Sequence, residues 1–107
     1  MRITRLEKMF VNRRQEAERN IGRVRRGLEQ IGVGAIHDVL EIGCGIGVIS
    51  AFLADSYGMN VLGTDLDPEQ IELARTTQPT SDRLHFAVED ATHLTFENAS
   101  FDLVLSQ

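Results

Sequence analysis

The sequence lacks several features that define whole classes of protein. Its 107 residues contain one cysteine, two prolines and no tryptophan. A lone cysteine, Cys44, forms no disulfide within the chain and cannot by itself hold a zinc ion, so stability must come from a hydrophobic core. No apolar run approaches the roughly 18 residues of a membrane span, and no apolar segment follows the basic N-terminus as in a signal peptide. These absences favour one small globular domain, or a piece of one, in a reducing cytoplasmic compartment.

Basic residues are almost missing from the second part of the chain. Residues 1–34 carry nine of the eleven Lys and Arg against four Glu, a net charge of +5, whereas residues 35–107 carry two against twelve Asp and Glu, a net charge of −10. The asymmetry is compatible with a basic arm for nucleic acid or anionic lipid, and equally with packed segments that neutralise each other. Glutamates and not aromatic residues lie between the arginines, which favours neutralisation and disfavours nucleic-acid binding.

The N-terminal segment has the periodicity of an amphipathic helix. Apolar residues recur at helical spacing from Ile3 to Ile31, and Gly32 follows as a helix end. Arg13 and Arg14 interrupt the apolar stripe, so either one helix or two with a break near residues 11–15 is possible. We predict that residues 1–34 form a helical region that covers an apolar face of residues 35–107.

From Asp38 onward, short apolar runs alternate with amphipathic segments, which is typical of βαβ units with a parallel sheet. Strands are predicted at 38–43, 60–66, 84–89 and 101–106, helices at 48–57 and 68–77, and a polar connection at 90–100. Asp67 and Pro68 have the spacing of a helix start, with Asp67 as the cap and Gln70 completing a capping box. The pattern predicts an α/β fold.

A glycine-rich segment ends the first predicted strand and opens a helix. Gly43, Gly45 and Gly47 occupy alternate positions, which allows a sharp turn whose backbone amides a ligand can approach. The spacing is G-x-G-x-G, whereas the dinucleotide fingerprint G-x-G-x-x-G needs a glycine where this chain has Val48. Glu41 beside the turn is a poor neighbour for a pyrophosphate and suits a ligand that carries positive charge.

The segment VLEIGCGIG resembles motif I of the class I S-adenosylmethionine-dependent methyltransferases, most closely their small-molecule "type 11" group. The resemblance implies a Rossmann-like parallel sheet with helices on both faces, preceded by one or more N-terminal helices, of which residues 38–107 supply the strand order 3-2-1-4. It also implies that the segment lines the methionine end of S-adenosylmethionine, where a carboxylate suits the sulfonium and ammonium. The residues concerned are Glu41, Gly43, Cys44, Gly45 and Gly47.

A second acidic residue, Asp65, ends the second predicted strand, twenty residues after Gly45. Strands of such a sheet end at one edge, so Asp65 is placed where a carboxylate can accept hydrogen bonds from both hydroxyls of a ribose. Nicotinamide-binding folds use an acid at this position too. The alternative is that Asp65 helps to cap the following helix, as Asp67 is predicted to do.

Further contacts follow from the resemblance. It implies that Leu66 packs against the adenine face, that Asp90 accepts from the adenine amino nitrogen, and that the backbone amide of Ala91 meets the ring. For Asp90 the alternative is a solvated charge at a strand end. After the fourth strand, Ser106 or Gln107 is in the position of a contact to the methionine moiety.

Other candidate groups have no supporting pattern. Cys44 has no base implied nearby for nucleophilic chemistry, and His37, His85 and His93 lack the spacing of metal ligands. No metal site is predicted, and the catalytic residues are expected beyond Gln107.

The resemblance implies an S-adenosylmethionine-dependent methyltransferase acting on a small-molecule acceptor, with residues 35–107 as its cofactor-binding portion. Two alternatives stay open: a NAD-binding oxidoreductase domain, favoured by Asp65 but opposed by Val48 and Asp90, and a non-catalytic S-adenosylmethionine-binding or assembly module. We expect a chain truncated after the fourth strand and inactive in catalysis by itself. The unpaired apolar strand 101–106 then predicts self-association.

Overall fold

A computed structural model describes residues 17–79, 81–90 and 101–106 of the chain. Its elements, in order, are α1 (Ala17–Ile31), a short 3-10 turn (Val33–Ala35), β1 (Asp38–Ile42), α2 (Val48–Tyr57), β2 (Asn60–Asp65), α3 (Pro68–Thr77), β3 (Leu84–Val88) and β4 (Leu103–Ser106). The bounds of α2 and α3 are those predicted, and each strand ends or begins within two residues of its prediction. The predicted helix before residue 17 and most of the polar connection lie outside the described residues.

The four strands form one parallel sheet in the order β3-β2-β1-β4, which confirms the predicted order. In its register, Glu41 of β1 lies opposite Gly63 of β2 and Leu105 of β4, and Asp65 of β2 lies opposite Val88 of β3. Because all strands run the same way, their carboxyl ends meet at one edge of the sheet, which is where ligands bind in α/β sheets of this kind.

The core lies between one face of the sheet and the helices α1 and α2. Val24 and Leu28 of α1 and Leu53 of α2 are fully buried. They form one cluster with apolar residues from all four strands, namely Val39, Val61, Leu84, Leu103 and Leu105. The register places these strand residues on the same face. The apolar stripe read from the sequence is therefore the face through which α1 packs. None of the described helices is long and apolar enough to cross a membrane.

β4 begins at Leu103, two residues later than predicted, and Asp102 directly before it bonds to the start of β1. Its Oδ2 accepts from the backbone N–H groups of His37 and Asp38 at 2.9 and 3.0 Å. Its own N–H donates to the Asp38 carbonyl at 2.7 Å. Asp102 thus ties the start of β4 to the start of β1 and fixes their alignment.

Asp67 and Asp65 both cap the start of α3, which is the alternative stated for Asp65, whereas the capping box predicted with Gln70 is not formed. Asp67 is the N-cap, as predicted, and its Oδ1 accepts from the N–H of Glu69 at 2.9 Å, with Pro68 in the first turn. The reciprocal bond expected from Gln70 is made by Asp65, whose Oδ1 accepts from the Asp67 N–H at 3.0 Å. Asp65 is two residues away and already fixed at the end of β2, so it supplies the acceptor at lower entropic cost than the longer Gln70 side chain.

Phe86 of β3 packs into a slot that exists because two glycines face it. A Cβ on Gly47 would lie 2.5 Å from the Phe86 Cζ, and a Cβ on Gly63 would lie 2.9 Å from the Phe86 Cδ1 and 2.8 Å from the Ser50 Oγ. Gly63 has no positive φ, so at this position the lack of space, and not the backbone conformation, requires glycine. The ring thereby links β3 to β2 and to the N-terminus of α2.

We expect Gly63→Ala to lower the free energy of unfolding by about 1–3 kcal/mol, because the added methyl group must displace Phe86 or Ser50. Urea unfolding followed by circular dichroism measures the change. Gly34→Ala is the matched control, since nothing lies within 4 Å of a Cβ there, and its effect should stay within about 0.5 kcal/mol. In a Phe86→Leu background, Gly63→Ala should lower the free energy of unfolding by a smaller amount. Equal destabilisation by the two alanines would show that the Phe86 slot does not constrain residue 63.

Candidate functional site

The turn between β1 and α2 is built from three glycines in left-handed backbone conformations. Their φ values are 74° at Gly43, 58° at Gly45 and 86° at Gly47, a region that other L-residues rarely adopt. Gly47 is also the N-cap of α2. We call residues 43–47 the glycine turn. The alternation of glycines in the sequence is thus a requirement of the backbone, which turns from strand to helix within these residues.

Asp65 connects the glycine turn to the end of β2. Its Oδ2 accepts from the Gly45 N–H at 2.9 Å, and its Oδ1 accepts from the Asp67 N–H. A second hydrogen bond between the same two segments runs from the Cys44 N–H to the Thr64 carbonyl at 2.8 Å. Asp65 is only 4% exposed, so these bonds lie where water competes little. The turns that follow β1 and β2 are therefore held together at the carboxyl edge of the sheet.

Glu41 lies beneath the glycine turn and not at an open surface. Its side chain is 1% exposed, and its Oε1 accepts from the Ser50 Oγ of α2 at 2.6 Å. The register partner Gly63 has no side chain, which leaves room on this face for the carboxylate and the hydroxyl. The Ser50 hydroxyl is thus a hydrogen-bond donor to a carboxyl group that water barely reaches.

Ser50 and Gly63 are site residues that the sequence reasoning missed. A glycine inside a strand pattern signals a close approach of another group, and this signal was available for Gly63. Nothing local to Ser50 marks it, because its partner Glu41 is reached only when α2 packs on the sheet.

The end of β3 lies beside Asp65. The Glu89 N–H donates to the Asp65 carbonyl at 3.1 Å, so Asp90, which is half-buried, follows at the same edge. Ala91 lies outside the described residues. The structure therefore brings the ends of β1, β2 and β3 together, and with them the acidic residues that the sequence singled out.

Exposed apolar side chains occur at the same edge. Leu66 directly after β2 is 68% exposed, Val88 at the end of β3 is 44% exposed, and Ile46 in the glycine turn is 42% exposed. Each follows or ends a strand of the parallel sheet, so the three lie along its carboxyl edge. An apolar ring packed there would cover side chains that now face water.

Three other residues singled out in the sequence are Cys44, Ser106 and Gln107. Cys44 is 3% exposed, with its Sγ 3.5 Å from the Gly45 carbonyl, and serves as a small buried side chain in the turn. Ser106 is half-buried opposite Ile42 at the end of β4, whereas Gln107 lies outside the described residues. No cluster of three or more His, Cys, Asp or Glu suited to a metal ion occurs in the described part of the chain.

Comparison with known sequences identifies the family. The family described as "Methyltransferase domain" matches residues 39–107, well over half of the chain. Among curated proteins, the chain is 46% identical over 68 residues to 2-methyl-6-phytyl-1,4-hydroquinone methyltransferase of Synechocystis sp.. It is 41% identical over 71 residues to a probable chloroplastic tocopherol O-methyltransferase of Oryza sativa. Each match covers 64% of this chain but only 21% and 20% of the relative, so the chain spans about a fifth of their length.

Solved structures share the fold. A SAM-dependent methyltransferase from Methanosarcina mazei matches with a TM-score of 0.61 at 37% identity, covering 72% of this chain and 39% of that one. Phosphoethanolamine N-methyltransferase 2 of Haemonchus contortus, in complex with S-adenosyl-L-methionine, matches with a TM-score of 0.69 at 32% identity, covering 79% and 20%. With the glycine turn, the acidic strand ends and the strand order, these matches support a methyltransferase domain and not a NAD-binding one. The chain belongs to the class I S-adenosylmethionine-dependent methyltransferases.

Proposed function

We propose that this chain binds S-adenosylmethionine and forms the cofactor-binding portion of an enzyme that transfers a methyl group to a small-molecule acceptor. The observation that carries the proposal is the bond from the Gly45 N–H to the Asp65 carboxylate, which joins the glycine turn to the end of β2. It assembles at one edge the groups that a nucleoside with a charged amino-acid tail requires. Relatives named for phytyl hydroquinone and tocopherol methylation support a small organic acceptor.

The methionine end of the cofactor is assigned to the glycine turn. Gly43 and Gly45 carry no Cβ and hold positive φ values, so a ligand can approach the backbone closely there, whereas the Phe86 ring takes the space beside Gly47. Cys44 packs inside the turn as a small buried side chain. Glu41 acts from beneath, where its weakly screened negative charge favours the sulfonium and the ammonium of the ligand. A contact from Gln107 to the methionine moiety stays a proposal.

The nucleoside end is assigned to the ends of β2 and β3. Asp65 accepts from the backbone amides of Gly45 and Asp67, which hold its carboxylate at the carboxyl edge of the sheet, and it is proposed to bind the ribose hydroxyls there. Leu66 presents an exposed apolar side chain to the adenine face. Asp90 is proposed to accept from the adenine amino group, and the amide of Ala91 to meet the ring.

Bound S-adenosylmethionine supplies an electrophilic methyl group on its sulfonium. The part of the chain that the structure describes binds and orients this group, since alignment with the acceptor is the main requirement of the reaction. None of the described residues is assigned to the acceptor or to its deprotonation. The catalytic step is therefore proposed for the whole enzyme and not for these residues alone.

We also propose the domain organisation and the cellular location expected from the sequence. Residues 1–34 form a covering region, supported by the burial of Val24 and Leu28 against the sheet cluster, and residues 35–107 bind the cofactor. A reducing cytoplasmic compartment agrees with a single cysteine, Cys44, that is buried inside the glycine turn.

Leu66→Ser tests the adenine assignment. We expect it to weaken binding of S-adenosylhomocysteine by about fivefold to thirtyfold, because adenine would cover a side chain that is 68% exposed in the chain alone. Leu73→Ser is the matched control, the same change at a leucine of α3 that is 46% exposed, and should leave affinity unchanged. Isothermal titration calorimetry measures both.

The outcomes of this titration separate the alternatives. Equal losses in the two serine variants would contradict the adenine assignment. If the unchanged chain does not bind S-adenosylhomocysteine, the proposed function itself fails. Tighter binding of NAD than of S-adenosylhomocysteine would favour the oxidoreductase alternative.

A change in the ligand tests the ribose assignment more cleanly than a change in the protein. Removing the Asp65 carboxylate would also release the amides of Gly45 and Asp67, so any loss of affinity would be mixed with a loss of structure. We expect 5′-methylthioadenosine to bind about tenfold to a hundredfold more tightly than its 2′-deoxy analogue, the difference made by a charge-assisted hydrogen bond. Equal affinities in calorimetry would argue against a ribose contact from Asp65.

We further propose that the chain self-associates through β4. In the described part of the chain, β4 pairs with β1 on one side and with no strand on the other. Leu103, Val104 and Leu105 are all buried, so both faces of the strand are apolar, which is typical of a strand inside a parallel sheet. A second copy can extend the sheet along this open edge.

Sedimentation velocity over a concentration series tests this proposal. The average sedimentation coefficient should rise with protein concentration, because pairing at the edge of β4 follows mass action. A single monomeric species at the highest concentration would contradict self-association through this strand.

A further inference from the structure

The peptide between Ile46 and Gly47 lies inside the glycine turn and is held at both ends. The Gly47 N–H donates to the Cys44 carbonyl at 3.0 Å within the turn. The Ile46 carbonyl accepts from the side-chain amide of Gln78, with the Nε2 at 3.0 Å. The second bond comes from a residue 32 positions later in the chain, at the far end of α3. Neither the motif nor the strand order accounts for this bond.

Gln78 is the C-cap of α3. Its backbone N–H donates to the Ala74 carbonyl at 3.0 Å, and its φ and ψ of −92° and 148° are extended. Extended backbone is what the next residue, Pro79, imposes on its predecessor. The side chain is half-buried. With its backbone fixed in this way, Gln78 loses less conformational freedom when its amide is held against Ile46 than a loop residue would.

The turn needs such a restraint because of its own composition. Glycines flank Ile46 on both sides, at φ values of 58° and 86°, and glycine rotates between backbone regions at little steric cost. The Phe86 ring blocks one direction, since it fills the space where a Gly47 side chain would project. The orientation of the Ile46–Gly47 peptide is set by two hydrogen bonds, one from its N–H to the Cys44 carbonyl and one to its carbonyl from Gln78, and only the second reaches outside the turn.

We propose that Gln78 is a positioning residue for cofactor binding. Its amide fixes the Ile46–Gly47 peptide and, through it, the glycine turn that receives the methionine end of the ligand. Gln78 acts through the Ile46 carbonyl and does not touch the cofactor. The inference rests on the proposed binding of S-adenosylmethionine at this turn.

Two substitutions of Gln78 separate the effect of its hydrogen-bond donor from the effect of its side-chain size. Gln78→Met keeps the length of the side chain and removes the donor, whereas Gln78→Glu places a negative charge against the Ile46 carbonyl. We expect the affinity for S-adenosylhomocysteine to fall about threefold to tenfold in Gln78→Met and further in Gln78→Glu. Thr77→Val is the matched control at the neighbouring position, because the Thr77 hydroxyl donates to the Leu73 carbonyl within α3. It should leave affinity unchanged. All titrations are made below the unfolding transition of every variant.

A second ligand distinguishes positioning from a general loss of structure. 5′-Methylthioadenosine lacks the amino-acid end, so Gln78→Met should change its affinity by less than about twofold. Equal losses for the two ligands, or the same loss in Thr77→Val, would overturn the proposal.

Hydrogen exchange of the ligand-free chain keeps the test independent of the proposed function. Without the Gln78 bond, the Gly47 amide should exchange at least about threefold faster, while the Gly58 amide at the other end of α2 should not change. Unchanged exchange at Gly47 would overturn the role of Gln78. If Gln78→Met shows the faster exchange at Gly47 but the wild-type chain binds neither ligand, the proposed function fails and the restraint of the turn by Gln78 stands.

Discussion

A buried carboxylate at the end of β2 accepts hydrogen bonds from the backbone of two turns. One oxygen of Asp65 binds the Gly45 N–H and the other binds the Asp67 N–H. The first bond fixes the glycine turn after β1, and the second fixes the start of α3 after β2. The Asp65 carbonyl adds the end of β3 through the Glu89 N–H. The site depends on this one residue because three separate connections take their positions from it.

The packing beneath the site follows from the absence of side chains at two glycines. Gly63 leaves room for the Glu41 carboxylate and the Ser50 hydroxyl on one face of the sheet, and Gly47 leaves room for the Phe86 ring. Phe86 also contacts the Gly63 position, so β2, β3 and the start of α2 share one close-packed region. The Glu41 carboxyl group is buried in this region and accepts a hydrogen bond from the Ser50 hydroxyl at 2.6 Å.

The geometry of the glycine turn agrees with the match to the methyltransferase family and disagrees with a dinucleotide-binding site. A pyrophosphate needs backbone amides free of nearby negative charge, whereas this turn has Glu41 beneath it and gives the Gly45 amide to Asp65. The match to the methyltransferase family over residues 39–107 spans this turn and all four strands.

Local signals in the sequence determined the elements and their order. Gly58 ends α2 in a left-handed conformation, Asp67 and Pro68 begin α3, and the apolar runs became strands; such signals act within a few residues, so they can be read without a fold. The pairings of Glu41 with Ser50 and Ile46 with Gln78, and the Phe86 slot, were decided only by the tertiary structure. These contacts join residues on different elements, and which atoms meet depends on strand register and helix packing, which no local pattern specifies.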